Sequence, residues 1–205
     1  EPVRPLPAPW KRLLFVLPVA AVALLLPLGA FNIRGDSQFD LLLGWIPVAI
    51  QLLLAGGLLL FALRESVPGW RVSSSAVFLL CLMAFGLQVI VNLAIYLRMP
   101  MPGEAERTLS MWFACFRFES LIGLPILVVN AWLVARALPQ RPWLAGLLAG
   151  LGAGFAADAS WRLICPASDP GHVLLGHTGG ILLLGVTGFL LGYLWSLFEA
   201  RAPRS

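Results

Sequence analysis

Residues 143–163 read WLAGLLAGLGAGFAADASWRL, a run of 21 positions whose only charges are Asp158 and Arg162. A helix needs about 20 predominantly apolar residues to cross a bilayer, and this run meets that length. Gly146, Gly150 and Gly154 recur every four residues and so share one helical face. In lipid there is no hydrophobic drive between helices, so close approach relies on small residues, and the three glycines read as a contact seam inside a bundle, with a homodimer seam as the other reading. Asp158 and Arg162 are also four apart, the spacing that sets opposite charges on one face.

Five further apolar runs of spanning length occupy roughly 13–31, 41–63, 72–97, 111–135 and 173–198, bounded by Pro, Gly or charged clusters. The chain of 205 residues is 60% hydrophobic and 12% charged, against about 45–50% and about 25% in a soluble domain. That excludes an ordinary cytosolic enzyme, a disordered chain and a disulfide-rich secreted module. The fold class expected is all-α, a single six-helix transmembrane domain over 1–205, with 1–12 as lead-in and 199–205 as tail. Short connections predict antiparallel neighbours in one bundle. The first run is too continuous with the rest to read as a cleaved signal peptide.

Cations divide unevenly between the two sides of such a bundle. Arg4, Lys11, Arg12, Arg64, Arg71, Arg136, Arg141, Arg201 and Arg204 fall on one side. Arg34, Arg98 and Arg107 fall on the other, with Asp36, Asp40, Glu104, Glu106 and Asp169. Basic loops stay cytoplasmic, so both termini are expected there. Trp10, Trp45, Trp70, Trp112, Trp143, Trp161 and Trp195 lie mostly near span ends, as belt residues do. Pro18, Pro27, Pro47 and Pro125 lie within spans and are expected to kink them.

Charges inside spans are costly and therefore informative. Arg117 and Glu119 in the fourth run, with Asp158 and Arg162 in the fifth, read as a cross-helix ion-pair network, or more sharply as a proton or ion path. Gln51, Gln88, Asn92 and Asn130 read as interhelical hydrogen-bond partners. Cys81 sits among apolar neighbours and reads as an inert thiol. Cys115 and Cys165 instead fall at similar depth at the outer ends of the fourth and fifth runs. Three readings of that pair stand: two packing cysteines, a disulfide or redox dithiol, or a thiophilic metal site completed by His172 and His177. The His spacing of five does not put both rings on one face of a regular α-helix. No CxxC, P-loop, HExxH or GxSxG occurs, and no enzyme is expected.

Several short segments together resemble the NrsF-like family of bacterial inner-membrane anti-sigma factors, the negative regulators of sigma F. They are the basic, Pro-rich lead-in Arg4-Pro5-Leu6-Pro7 to Trp10-Lys11-Arg12, the turn Val67-Pro68-Gly69, Cys115, Leu124-Pro125, the Gly-rich fifth run, and the tail 163–166 with Pro170, His172, His177 and a Gly-rich sixth run. The chain departs from the family pattern in a shorter segment before Leu13, in Trp70 ahead of Arg71, and in Gly176 ahead of His177. The resemblance implies six spans and a sensing role for the Cys115 and Cys165 pair, facing periplasmic heavy metal or oxidant. It implies release of an extracytoplasmic-function sigma factor from the cytoplasmic face, with no direct nucleic-acid contact and no cofactor beyond a transient thiophilic metal ion. The Arg117, Glu119, Asp158 and Arg162 group would carry the shift inward. A non-enzymatic subunit of a larger membrane complex is the competing class, and a small transporter the third.

Overall fold

The computed structural model describes residues 6–34, 41–67, 69–98, 109–137, 139–167 and 169–201. Arg4, Pro5, Asp36, Asp40, Pro68, Glu104, Glu106, Arg107 and Arg204 lie outside the described residues. Among the described residues there is no strand. Six helices among the described residues are long and apolar enough to cross a membrane. They are α1 (Pro9–Ala30), α2 (a π-helical turn Leu41–Trp45 continuing as Ile46–Glu65), α3 (Ser74–Arg98), α4 (Leu109–Ala135), α5 (Pro142–Arg162) and α6 (Pro170–His172, a π-helical turn Val173–Thr178, then Gly179–Arg201).

Helix α5 is the axis of the bundle, with every residue from Leu144 to Trp161 buried except the half-buried Leu147. Small side chains allow this, because neighbours can reach its backbone on several sides at once. A Cβ added at Gly146 or Gly150 would strike the α6 backbone at Gly188 or Leu184, and one at Gly154 would lie 2.7 Å from Ile181 Cα. Gly152 faces Leu59 of α2. Phe155 meets Phe85 of α3 edge to face at 4.9 Å, and Ser160 Oγ donates to the Leu24 carbonyl of α1. The glycines of α6 divide their work: Gly188 and Gly192 meet α5, whereas Gly176 and Gly180 meet α4 at Trp112 and Glu119.

The two ends of the bundle are held differently. At one end Arg12 is buried and donates to Ser66 Oγ at 3.0 Å and to the Leu63 and Leu133 carbonyls, closing the C-terminal ends of α2 and α4. Beside it Arg141 grips Glu65 through two bonds of 2.6 and 2.7 Å, and Glu65 also accepts from the Val72 amide. At the other end Arg34 spans to the carbonyl of Cys165 at 2.9 Å, and its amide donates to the Leu163 carbonyl.

One expectation is refined here and one corrected. Pro47 stands in the first turn of the α-helical part of α2, behind the π-helical turn, where a missing amide is tolerated. Trp161 is no belt residue, for it is buried, stacked on Phe118 at 5.1 Å and meeting Phe31 edge to face.

Candidate functional site

Each side chain at the Arg34 end is placed by a local feature of the sequence. Cys115 lies almost two turns into α4. Helix α5 runs out after Arg162, and the Cys165 amide still donates to the Trp161 carbonyl at 2.8 Å, so the chain tightens there before Pro166. Asp169 then caps α6 by accepting from the His172 amide at 3.1 Å, with Pro170 at the first helical position. The next turn is π-helical. A π-helix closes its hydrogen bonds five residues apart instead of four, so residues five apart come onto one face. That overturns the argument from regular helical spacing: the His172 and His177 rings stand side by side, 5.2 Å between centroids. Gly176 makes room for this turn, since a Cβ there would crowd the Trp112 carbonyl and the Cys115 side chain.

The result is a buried group of four ligating side chains. Cys115 Sγ and Cys165 Sγ are 3.6 Å apart, and Cys165 Sγ is 3.4 Å from His172 Nε2. One ligand atom from each of Cys115, Cys165, His172 and His177 lies within 4.8 Å of every other. Both thiols are free, and Cys81, half-buried in α3, is not part of the group. The hydrogen bond shared with Cys115, together with burial, pushes the Cys165 thiol above its ordinary range. Trp161, Ile122 and Ala157 form the apolar wall around the sulfur atoms.

His177 joins this group to the charged network. Its Nδ1 donates to Asp158 Oδ1 at 2.7 Å and lies 3.5 Å from Glu119 Oε2. Asp158 Oδ2 accepts from Arg162 Nε at 2.9 Å and from Gln51 Nε2 at 2.6 Å. Arg162 Nη1 then reaches Asn92 Oδ1 at 2.8 Å, and Gln51 lies within 3.4 Å of Gln88 Oε1. Asp158 is thereby tied to α2, α3 and α6 at once. Arg117 does not belong: it is exposed and lies over the Phe118 ring, 5.5 Å from its centroid. Arg117 and Glu119 are two positions apart, and that step places them on opposite faces of α4.

The chemistry open to such a group is thiol oxidation or capture of a soft or borderline metal ion. Comparison with known proteins decides the family. Residues 1–196 match the family NrsF, negative regulator of sigma F. The chain belongs to the NrsF family. It is 30% identical over 175 residues to a probable anti-sigma-F factor NrsF of Azospira oryzae, a match covering 84% of this chain and 82% of that protein. It is 29% identical over 187 residues to the anti-sigma-F factor NrsF of Caulobacter vibrioides, covering 89% and 86%. No solved structure matches it. NrsF is a family of regulators, not of enzymes.

In this NrsF-family chain the sequence separated what the fold unites. The thiols and the ion pair read as two groups because no linear signal links His177 to Asp158, 19 positions earlier. Nothing in the sequence marks Arg12, Arg34 or the Glu65–Arg141 pair as structural contacts. Their charges lie at span ends, where Arg and Lys are expected on topological grounds alone. The only available hint for the last was a Glu and an Arg ending on the same side.

Proposed function

We propose that this protein is a membrane-embedded anti-sigma factor of the bacterial inner membrane, holding an extracytoplasmic-function sigma factor at its cytoplasmic face and releasing it under periplasmic metal or oxidant stress. The observation that carries the sensing half is the 3.6 Å approach of Cys115 and Cys165, contributed by α4 and by the segment between α5 and α6. A bond or a shared metal at that point ties two helices, which is the differential interaction a two-state bundle needs from its signal. Both termini face the cytoplasm in this reading. The clustering of Arg12, Arg64, Arg71, Arg136 and Arg141 at the end opposite the thiols supports it. The loops from Arg64 to Arg71 and from Arg136 to Arg141, with the N-terminal segment, form the output surface toward the sigma factor.

Sigma-dependent reporter expression in cells tests the proposal. Cys115→Ser and Cys165→Ser, singly and together, are expected to remove the response to cadmium and to a thiol oxidant while leaving protein levels unchanged. An unaltered response in the double variant sinks the sensing role. Failure of the purified protein to retain any sigma factor sinks the anti-sigma role.

A further inference from the structure

Among the described residues, three buried nitrogen atoms at the thiol group lack hydrogen-bond partners: Trp161 Nε1, His172 Nδ1 and His177 Nε2. His177 is the most telling. Asp158 accepts the Nδ1 proton, so in the neutral ring Nε2 carries a lone pair, and it has no hydrogen-bond donor to receive. A carboxylate that fixes the tautomer of an imidazole and leaves the other nitrogen free is the outer-shell arrangement of metal-binding histidines. An unpaired polar atom in such a place otherwise costs free energy with nothing to offset it.

The spacing of the donors also matches a metal and not a bond between the sulfur atoms. A tetrahedral ion with metal–sulfur distances of about 2.3 Å and metal–nitrogen distances of about 2.0 Å sets its two sulfurs about 3.8 Å apart and each sulfur about 3.5 Å from a nitrogen. The structure has 3.6 Å between the sulfurs and 3.4 Å from Cys165 Sγ to His172 Nε2. A disulfide needs about 2.05 Å, so the sulfurs would have to close by some 1.5 Å, and His177 Nε2 would remain without a partner.

Charge favours the same answer. A divalent ion bound by two thiolates and two neutral imidazoles has no net charge, which suits a site walled by Trp161, Ile122 and Ala157. The neighbouring Glu119, Asp158 and His177 group is a poorer host, because Asp158 is already engaged by Gln51, Arg162 and His177. A cavity of about 30 Å³ is bordered by Arg34, Asn92, Arg162, Cys165 and His177. Its two arginines are engaged, Arg162 by Asp158 and Arg34 by the Cys165 carbonyl.

We infer that Cys115, Cys165, His172 and His177 form a tetrahedral site for a zinc-class divalent ion, zinc or cadmium, in which Asp158 is the positioning residue that holds His177. The inference rests on the thiol-sensing reading above and specifies its ligand. On binding, the two thiols lose their protons to water, two metal–sulfur and two metal–nitrogen bonds form, and no electron is transferred. Because Asp158 of α5 also holds Gln51 of α2 and, through Arg162, Asn92 of α3, occupancy bears on five helices and not on α4 and α6 alone.

The test uses the purified full chain, reduced, with cobalt as a spectroscopic probe and zinc as competitor. One equivalent of cobalt is expected to give a thiolate charge-transfer band together with the intense visible bands of tetrahedral coordination. His172→Ala and His177→Ala should each lose the tetrahedral bands while keeping charge transfer. Asp158→Asn should keep both and weaken zinc binding about 10- to 100-fold. X-ray absorption at the zinc edge of the unaltered protein needs no variant, and should show two sulfur and two nitrogen neighbours. All-sulfur or all-oxygen and nitrogen neighbours, or zinc affinity unchanged in His177→Ala and Asp158→Asn, would overturn the inference. So would no metal uptake by the reduced protein, even if the cysteine variants had lost their response in cells, since sensing by oxidation would then stand without this site. Conversely, metal binding as described with an unaltered response in the cysteine variants would keep the site and remove its sensing role.

Discussion

At the scale of single residues, the Glu65–Arg141 pair shows how a span end is locked. Glu65 has no exposed side-chain surface and Arg141 about a quarter, so the carboxylate is the desolvated partner. The two bonds to Glu65 raise the Arg141 guanidinium above its ordinary value. A cation whose folded value is raised contributes in full below its unfolded value and loses that contribution as pH rises through the folded one, which for a guanidinium lies far above neutrality. The pair should therefore be indifferent to pH across the neutral range. Removing one partner of a buried pair leaves a charge without compensation, and Arg141→Ala is expected to cost on the order of 3 kcal/mol, toward the lower end because solvent reaches Arg141. Thermal unfolding in detergent measures it, and a loss within error of zero would show that water replaces the guanidinium there.

At the scale of elements, α5 is unusual in being almost wholly buried, and its glycines are the reason that α6 can lie against its backbone. Gly150→Ala adds a single carbon where the Leu184 carbonyl stands, so the helices must separate along the seam. Overpacking of that kind costs about 1–3 kcal/mol. Gly56 in α2 has nothing within 4 Å of an added Cβ, and Gly56→Ala should be neutral or stabilising by up to about 1 kcal/mol through helix propensity. Melting temperatures of the two variants, compared side by side, check the contrast. Equal shifts would mean that the seam yields without cost. The π-helical turn of α6 belongs to this scale too. It changes a five-residue spacing from an argument against a shared site into the means of making one.

At the scale of the whole molecule, the two ends carry different chemistry: arginines locking helix termini at one, thiols and imidazoles at the other. The positive-inside reading assigns the arginine end to the cytoplasm. In a protein whose three native cysteines are changed to serine, a cysteine placed at Trp70 is expected to react with an impermeant maleimide only after lysis. One placed at Asn32, near the thiol end, should react in cells with a permeabilised outer membrane. The reverse pattern would invert the topology and put the thiol group in the reducing compartment, where a standing disulfide would not persist.

Composition and apolar run length alone determined the six spans, because a helix that must hydrogen-bond internally in lipid needs only length and hydrophobicity to be recognised. The runs at 111–135 and 143–163 fall within two residues of the helices observed. The glycine spacing on the fifth run, the depth shared by Cys115 and Cys165, and the pairing of Asp158 with Arg162 were also legible, since each depends on helical periodicity or on the order of spans. Only the tertiary structure decided that Arg117 turns outward, that Arg12 closes the ends of two other helices, and that His172 and His177 meet. It also decided that His177 bridges the thiols to Asp158. These outcomes depend on the rotation of each helix about its axis and on one local change of helical pitch, and neither leaves a mark in the hydropathy of the chain.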